Sequence, residues 1–143
     1  MRRADPQHTR EWFRDWFGEE YLALYPHRDE AEAARAVRLF LDSVPPRDGP
    51  VLDLACGAGR HARELVAAGV RVIGLDLSAV LLREARKVDA GLLLVRGDMR
   101  RLPFAEFSFG GLTSFFTSFG YLSTVEEDRA VITQIRRTLA PGA

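Results

Sequence analysis

The stretch from Val51 to Ala62, VLDLACGAGRHA, limits what this chain can fold into more than any other segment. Its apolar residues predict a buried strand that ends at Leu54, and Gly57 and Gly59 predict a tight turn with close backbone approach. Apolar residues then return at helical spacing, which predicts a helix. A strand that breaks into a glycine loop and opens a helix is typical of sites for nucleotide-like ligands.

The glycine loop has the spacing GxGxxA of dinucleotide-binding proteins, but Asp53 argues against a pyrophosphate ligand. A helix N-terminus favours an anion, and a carboxylate just before the glycines would repel one. The same carboxylate favours an ammonium group. S-adenosylmethionine (SAM) carries an ammonium at its methionine end, a ribose diol in the middle and a neutral adenine, without phosphate.

Two further predicted strands also lead into carboxylates. The second strand ends at Asp76, where a carboxylate can accept hydrogen bonds from both ribose hydroxyls, and Leu77 can pack on the adenine. The third strand is followed by Asp98, which can accept from the adenine amine, and by Met99, which offers a backbone N–H and a soft side chain. These residue types match the parts of SAM in order.

Four segments, CGxGRH, GxDLS, RGDMRxLPF and FTSFGY, resemble the class I SAM-dependent methyltransferases, and more narrowly a group that acts on small molecules. The resemblance extends from Trp12 to Gly142. It implies transfer of a methyl group from SAM to an O, N or C atom of a small-molecule acceptor by direct displacement, which requires mainly alignment of the acceptor. It also implies cofactor contacts from twelve residues: Tyr25, Arg28, Asp53, Ala55, Cys56, Gly57, Gly59, Asp76, Leu77, Asp98, Met99 and Phe115.

The resemblance places residues 53–59 around the methionine end of the cofactor and makes Arg28 a candidate partner of its carboxylate. Structural alternatives stay open: a strand-terminal Asp can cap the next turn, Met99 and Phe115 can be core residues, and Arg28 can be an exposed joint residue. No catalytic residue is assigned; the candidates for a general base by family analogy are Tyr25, His27 and Tyr121. The acceptor pocket is expected to involve Thr117, Ser118, Phe119 and Tyr121.

Cys56, the only cysteine, is expected to be a small residue tolerated beside the ligand rather than a nucleophile. It cannot form an internal disulfide. The three histidines do not stand at ligand spacing, so no metal site is expected.

The order of elements predicts an α/β chain with a Rossmann-like parallel sheet, a partial class I methyltransferase fold, and an N-terminal helical cap. The cap is predicted over residues 1–46 and the SAM-binding core over residues 47–143. The predicted strands are 51–55, 71–75, 92–96 and about 111–116, with Phe115 and Phe116 at the end of the fourth. The predicted helices of the core are about 60–68, 79–88 and 125–139.

Within the cap, two helical patterns are separated by a break at Tyr25–Pro26. The aromatic stripe of the first is expected to be core packing: Trp12, Phe13, Trp16 and Phe17. The second pattern begins with a capping box of Asp29 and Glu32, and its apolar stripe is Ala33, Ala36, Val37, Phe40 and Leu41. In the core, Ser78 is expected to cap one helix, and Thr124 with Glu127 the last one, whose predicted buried residues are Val131, Ile132, Ile135 and Leu139.

Twenty basic and twenty acidic residues cancel over the 143 residues, so the charge does not suggest nucleic-acid or membrane binding. The Arg-Arg pairs are interpreted as solvated surface. No apolar stretch reaches the roughly 20 residues of a membrane helix, and the N-terminus lacks the apolar core of a signal peptide. A soluble cytoplasmic protein is therefore expected.

The final residues, LAPGA, are similar to a turn that leads into the fifth of seven strands in the resembled family. The last three strands of that fold would then be missing, leaving the fourth strand as an exposed edge. Three explanations stay open: a trimmed chain, a truncated reading frame, or a native half-domain whose edge pairs with another chain. A homodimer through this edge is one expectation.

Two other functions are compatible with the motifs. A SAM-binding module without activity would bind the cofactor without turnover, because strands that help close the acceptor side are missing. An NAD-dependent oxidoreductase fits the GxGxxA spacing, but Asp53 and the Gly97-Asp98-Met99 segment disfavour it.

Overall fold

The computed structural model describes residues 11–25, 29–115 and 118–143. One parallel sheet in the order β3-β2-β1-β4 contains the strands β1 (Val51–Leu54), β2 (Val72–Asp76), β3 (Leu93–Arg96) and β4 (Gly111–Thr113). Around it lie the helices α1 (Trp12–Trp16), α2 (Glu19–Leu24), α3 (Glu30–Ser43), α4 (Arg60–Ala67), α5 (Ala79–Val88) and α6 (Val125–Thr138). The predicted α/β class is confirmed, and the predicted strand and helix bounds of the core lie within one residue except at the end of β4.

The fourth strand is shorter than predicted. It ends at Thr113, so Phe115 lies beyond the strand, and Phe116 lies outside the described residues. Among the described strands β4 is the edge next to β1, as expected. Just before β4, Phe109 pairs with Leu139, the residue after α6, in a parallel bridge. Pairing of this edge with a second copy stays a prediction.

The register of the sheet brings the predicted carboxylates Asp53 and Asp76 to the end of the sheet at which the strands have their carboxyl ends. Asp53 of β1 lies beside Gly74 of β2 and Thr113 of β4, and Asp76 lies beside Arg96 at the end of β3. Because all the strands are parallel, their carboxyl ends open on the same side, where ligands bind in folds of this type.

Alternation along the strands divides the core between the two faces of the sheet. On one face α3, α4 and α5 cover a cluster made of Val37, Val51, Ala62, Leu65, Val72, Ala85 and Leu92. On the other face α6 and the chain after β3 cover Leu52, Leu54, Leu75, Leu102, Phe109 and Val131. Full burial of each large apolar side chain contributes about 1.5–3 kcal/mol, so these clusters hold the strand ends in place.

Helix α6 buries a different set of residues from the predicted one. Val131 is fully buried, whereas Ile132 is 53% exposed, so the prediction for Ile132 is wrong. Thr138 is buried in its place, and its hydroxyl donates to the carbonyl oxygens of Gln134 (3.0 Å) and Ile135 (3.1 Å). The backbone satisfies this polar group, which allows it to be buried.

The predicted helix caps are formed in part. Ser78 Oγ accepts from the Leu81 N–H, and Thr124 Oγ1 accepts from the Glu127 N–H, both at 3.2 Å, as predicted. Asp29 caps α3 by accepting from the Ala31 N–H at 2.8 Å, but the reciprocal half of its capping box is absent. Glu32 instead pairs with Arg60 of α4 at 3.4 Å, and this pair joins α3 to α4.

The aromatic stripe of the N-terminal segment is not core, and that prediction is wrong. Helices α1 and α2 have no fully buried residue, and Trp12 and Trp16 are 46% and 40% exposed. Trp12 and Phe17 instead make ring contacts with Tyr121, at centroid distances of 5.3 and 5.7 Å. The stripe therefore attaches short helices to the chain before α6 rather than filling the interior.

In two of the Arg-Arg pairs, at residues 100–101 and 136–137, one arginine is not solvated surface, so that interpretation is wrong for Arg100 and Arg137. The Arg100 guanidinium binds three carboxylates, Glu11 at 2.7 Å, Asp98 at 2.6 Å and Glu127 at 2.5 Å. Arg137 donates to the carbonyl oxygens of Phe104 and Leu102 at 2.7 and 3.0 Å. Arg100 therefore connects α6 to the residue before α1, and Arg137 fixes the chain after β3 to α6.

In the described part of the chain, no helix is both long and apolar enough to cross a membrane.

We expect Arg100→Met to loosen the N-terminal helices. The substitution leaves Glu11, Asp98 and Glu127 without their shared cation, and the loss of these contacts is expected to lower the free energy of unfolding by about 1–3 kcal/mol. Hydrogen–deuterium exchange should accelerate across α1 and α2. Lys87→Met removes an exposed pair with Glu84 and serves as the control, with no effect on that region. Unchanged exchange in Arg100→Met would contradict this account.

The glycine before β4 permits a close backbone crossing. A Cβ on Gly110 would lie 2.1 Å from the Arg47 carbonyl oxygen, and the Arg47 N–H donates to the Gly110 carbonyl at 2.7 Å. We expect Gly110→Ala to lower the free energy of unfolding by about 1–3 kcal/mol in a urea titration. Gly18→Ala is the control, since its Cβ would meet an ordinary contact at 3.5 Å. Equal stabilities of the two variants would contradict the crossing.

Candidate functional site

A cavity of about 820 Å³ opens at the carboxyl ends of the strands. This volume lies in the range of small-molecule sites. Ten of the twelve predicted site residues line it: Tyr25, Asp53, Ala55, Cys56, Gly57, Asp76, Leu77, Asp98, Met99 and Phe115. Gly59 is not part of the lining, and Arg28 lies outside the described residues, as does the base candidate His27.

The glycine loop follows β1 in a left-handed backbone conformation. Ala55, Gly57 and Gly59 have φ values of 58°, 56° and 78°. Glycine adopts such values without strain, whereas Ala55 does so at a cost of about 1–3 kcal/mol, which the surrounding structure must offset. A Cβ on Gly59 would lie 3.0 Å from Leu92 and 3.1 Å from Ala85, so this glycine allows α4 to begin close to α5.

Asp53 is a buried carboxylate with one oxygen unpaired. It is 2% exposed, and its Oδ1 accepts a hydrogen bond from the Thr113 hydroxyl at 2.9 Å. Its Oδ2 is buried without a hydrogen-bond partner among the described residues. Burial raises the pKa of Asp53 to about 7; the Thr113 hydrogen bond opposes this rise and the charge of Asp76 adds to it. A buried, unpaired carboxylate oxygen in a cavity is suited to a cationic or hydrogen-donating ligand group.

Asp76 is held at the end of β2 by backbone N–H donors. Its Oδ2 accepts from the Gly57 N–H and its Oδ1 from the Ser78 N–H, both at 2.8 Å. Burial raises its pKa, while the hydrogen bonds from Ser78, Gly57 and Leu77 oppose the rise. The two carboxylate oxygens have four lone pairs between them, so the side chain retains capacity for a further donor. The side chain therefore has a fixed direction and free acceptor capacity.

Asp98 is engaged by Arg100 at the edge of the cavity. The guanidinium donates to Oδ1 from Nε at 3.0 Å and to Oδ2 from Nη2 at 2.6 Å. Partial burial disfavours the charged carboxylate, but the hydrogen bonds and charge of Arg100 outweigh it and hold the pKa of Asp98 below its ordinary value. The neighbouring Met99 both lines the cavity and packs against the core, so its two predicted roles coincide in space.

Cys56 carries a buried thiol that stays protonated. It is buried, and burial together with the charges of Asp53 and Asp76 raises the pKa of the thiol far above its ordinary value. A thiol that stays protonated is a poor nucleophile. Its sulfur packs against β2, where a Cβ on Gly74 would lie only 2.8 Å from Sγ.

Phe115 and His61 form one wall of the cavity. Their rings stack with centroids 4.1 Å apart and an angle of 11° between the planes, and both residues line the cavity. Phe115 also packs against the core cluster under α3 and α4. The predicted proximity of Phe115 to the cavity therefore arises from the loop after β4 rather than from the strand itself.

A chain of aromatic rings also lines the cavity. Successive ring centroids lie 5.1 to 5.7 Å apart, and we call these five residues the aromatic wall: Tyr25, Tyr21, Phe17, Tyr121 and Trp12. All five line the cavity together with Ser118. Phe119, expected in the acceptor pocket, is 48% exposed and not part of the lining, and Thr117 lies outside the described residues.

Sequence reasoning missed three residues that organise the site. Tyr21 stands four residues before Tyr25 on one face of α2, a spacing from which its contact could have been predicted. Thr113 reaches Asp53 through the sheet register, and Arg100 reaches Glu11 and Glu127 across the fold; no local pattern indicates either contact. In the described residues, no group of three or more His, Cys, Asp or Glu side chains could hold a metal ion.

The raised pKa of Asp53 predicts a specific pH dependence of stability. The folded carboxyl titrates near 7 and its ordinary value is 3.8, so the folded state binds more protons between these values and stability falls as the pH rises through this window. Asp53→Asn removes the charge, and we expect it to raise the free energy of unfolding at pH 8 by roughly 2–4 kcal/mol, with little change at pH 4.

Urea titrations of wild type and variant at the two pH values measure this effect. Asp42→Asn replaces an exposed carboxylate on α3 and is the matched control. A wild-type protein as stable as Asp53→Asn at pH 8 would show that the carboxylate is not buried at a cost.

Comparisons with known proteins agree with this geometry. A family model described as a methyltransferase domain matches residues 51–142. The chain is 34% identical over 115 residues to the dTDP-3-amino-3,4,6-trideoxy-alpha-D-glucopyranose N,N-dimethyltransferase of Streptomyces venezuelae. This match covers 80% of this chain and 48% of that protein. It is 38% identical over 106 residues to the demethylmenaquinone methyltransferase of Beutenbergia cavernae, covering 73% of this chain and 42% of that protein.

Solved structures show the same fold. The PH0226 protein from Pyrococcus horikoshii OT3 superposes with a TM-score of 0.74 at 28% identity, over 87% of this chain and 63% of that one. SAM-bound CalS10, an amino pentose methyltransferase from Micromonospora echinaspora, gives a TM-score of 0.70 at 32% identity, over 87% of this chain and 53% of that one. The chain spans about half the length of the curated relatives it matches.

Proposed function

The chain belongs to the methyltransferase domain family, and on that premise we propose that it forms the cofactor-binding part of a SAM-dependent methyltransferase that acts on a small molecule. The observation that carries the proposal is Asp53 at the end of β1, a buried carboxylate that lines the cavity and whose Oδ2 has no hydrogen-bond partner among the described residues. A cation offsets the cost of burying that oxygen, and SAM presents an ammonium group. The pyrophosphate of a dinucleotide would instead meet repulsion.

The cofactor's methionine end belongs at the glycine loop in this proposal. Gly57 lacks a side chain and lines the cavity, which allows a ligand to approach the backbone closely. Ala55 and Cys56 contribute small side chains to the same surface. Arg28 is proposed as the partner of the cofactor carboxylate.

The ribose and adenine belong at the ends of β2 and β3. Asp76 has a fixed direction and retains acceptor capacity, which suits the hydroxyls of a ribose. Leu77 and Met99 offer apolar surface for the adenine ring. Asp98 is the proposed acceptor for the adenine amine, and the hydrogen bonds that it already accepts from the guanidinium and the backbone N–H of Arg100 would fix the direction of that carboxylate.

The bound cofactor supplies an activated methyl group, and the residues of this chain bind, orient and exclude water. Alignment of the acceptor contributes about 7–11 kcal/mol in reactions of this kind, so no nucleophile of the protein is needed. Cys56, protonated by burial, does not act as one. Tyr25 and Tyr121 line the cavity and remain the candidates among the described residues for accepting a proton from a weak acceptor.

The acceptor is proposed to lie against the aromatic wall. This wall lines the same cavity as the strand ends, and aromatic rings bind apolar and ring-shaped groups without a fixed hydrogen-bond pattern. The matched relatives include amino-sugar N,N-dimethyltransferases and demethylmenaquinone methyltransferases. A small ring-bearing acceptor is therefore the class that we propose for this chain as well.

We expect Asp76→Asn to weaken SAM binding by about tenfold or more, because the NH2 group that replaces one acceptor oxygen would face the N–H of either Gly57 or Ser78 and would leave one acceptor fewer for the ribose. Isothermal titration with SAM, with S-adenosylhomocysteine and with NADH measures this. Wild type should bind both SAM-type ligands in the micromolar range and should not bind NADH. Asp42→Asn should bind as wild type does.

The NADH titration and a methyl-transfer assay distinguish the proposed function from its two alternatives. Binding of NADH in place of SAM would contradict the proposal in favour of an oxidoreductase. SAM binding without transfer of a labelled methyl group to any member of a pool of amino sugars and hydroquinones would favour a binding module without activity.

A further inference from the structure

Thr113 is the one hydroxyl that contacts the proposed cation-binding carboxylate among the described residues. The sheet register places Thr113 of β4 directly beside Asp53 of β1. Both are almost fully buried, at 4% and 2% exposure, and Thr113 Oγ1 donates to Asp53 Oδ1 at 2.9 Å. No other hydrogen bond to this carboxylate from a described side chain competes with it.

This hydrogen bond decides which oxygen of Asp53 is available. A carboxylate can rotate about its last bond, and a partner on one oxygen fixes that rotation. With Oδ1 engaged by Thr113, Oδ2 is left buried and without a hydrogen-bond partner among the described residues, in a residue that lines the cavity. The ligand-binding direction of the acid is thereby set by the neighbouring strand.

We infer that Thr113 is a positioning residue for the cofactor: it orients Asp53 and keeps it in the charged form that binds the ammonium group of SAM. The inference rests on the proposed function and extends it to a residue that is not part of the cavity lining.

The electrostatics of the site make this contribution necessary. Burial and the charge of Asp76 both favour the neutral acid, and the Thr113 hydrogen bond is what opposes them. The titratable groups that interact with Asp53 are Asp76 at the end of β2 and the protonated Cys56 thiol in the loop after β1, and His61 on α4 lines the same cavity. Loss of the hydroxyl would therefore raise the pKa of Asp53 from about 7.

A buried threonine can also serve packing alone, and the chain offers a direct comparison. Thr138 is buried as completely, but its hydroxyl donates only to carbonyl oxygens of its own helix. Thr113→Val and Thr138→Val each replace a buried hydroxyl by a methyl group. Of the two hydroxyls, only that of Thr113 is hydrogen-bonded to a carboxylate. Thr113→Ser keeps the hydroxyl and loses the methyl group.

The first measurement needs no ligand. ¹³C NMR of the aspartate carboxyl carbons follows the titration of Asp53, with Asp53→Asn identifying its signal. We expect the midpoint to rise by about one pH unit in Thr113→Val, from the loss of a hydrogen bond to a charged acceptor. It should return close to the wild-type value in Thr113→Ser and stay unchanged in Thr138→Val.

The second measurement is SAM affinity by calorimetry from pH 6 to pH 9. A one-unit rise from a midpoint near 7 lowers the ionised fraction of Asp53 about fivefold at pH 7 and about ninefold at pH 6. Thr113→Val should weaken SAM binding by at least these factors and recover toward pH 9. Thr113→Ser should restore both the affinity and the pH profile.

The two measurements separate the possible failures. An unmoved carboxyl midpoint together with unchanged SAM affinity in Thr113→Val would overturn the inference and leave the proposed function intact. A midpoint that moves as expected in a protein whose wild type has no affinity for SAM would refute the proposed function, and with it the role of Thr113 toward the cofactor. If Thr113→Val lost the same affinity for SAM at all pH values and Thr113→Ser did not restore it, Thr113 would contribute only packing and the inference would be overturned.

Discussion

The hydrogen bond from the Gly57 N–H to Asp76 is the contact on which the geometry of the cavity depends. It joins the loop after β1 to the end of β2, at 2.8 Å, and the second oxygen of Asp76 is held by Ser78, which caps α5. One carboxylate therefore fixes a loop, a strand end and a helix start. The left-handed conformation at Ala55 persists because this network specifies the position of the loop.

Asp53 gives the site its chemical selectivity at a cost in stability. A buried acid beside a second acid disfavours folding at neutral pH unless a cation or a donor compensates for it. Thr113 supplies one hydrogen bond and leaves the other oxygen to a ligand. A structure that leaves this oxygen unpaired in a cavity favours a cationic ligand over an anionic one, which separates the proposed SAM site from a dinucleotide site of similar loop spacing.

The sequence was sufficient where local patterns decide the structure. Apolar runs, glycine spacing and the Ser78 and Thr124 caps predict the bounds of most core elements, and strand-end carboxylates predict the position of Asp76. It was insufficient where the deciding contact is distant. Arg100 was interpreted as solvated surface because its partners Glu11 and Glu127 are distant in sequence. The stripe around Trp12 and Trp16 was predicted to be core, but it lies on two short helices without fully buried residues. No local pattern indicates that the backbone of Arg47 crosses Gly110.

The central claim is that the strand-end cavity is a SAM site, and amide chemical shifts of the ¹⁵N-labelled chain on addition of SAM test it most directly. The account predicts saturable shifts at Gly57, Leu77 and Met99, which line the cavity on three successive segments, and none at Leu39 on the exposed side of α3. An absence of shifts at saturating SAM, or shifts confined to residues away from the strand ends, would contradict it.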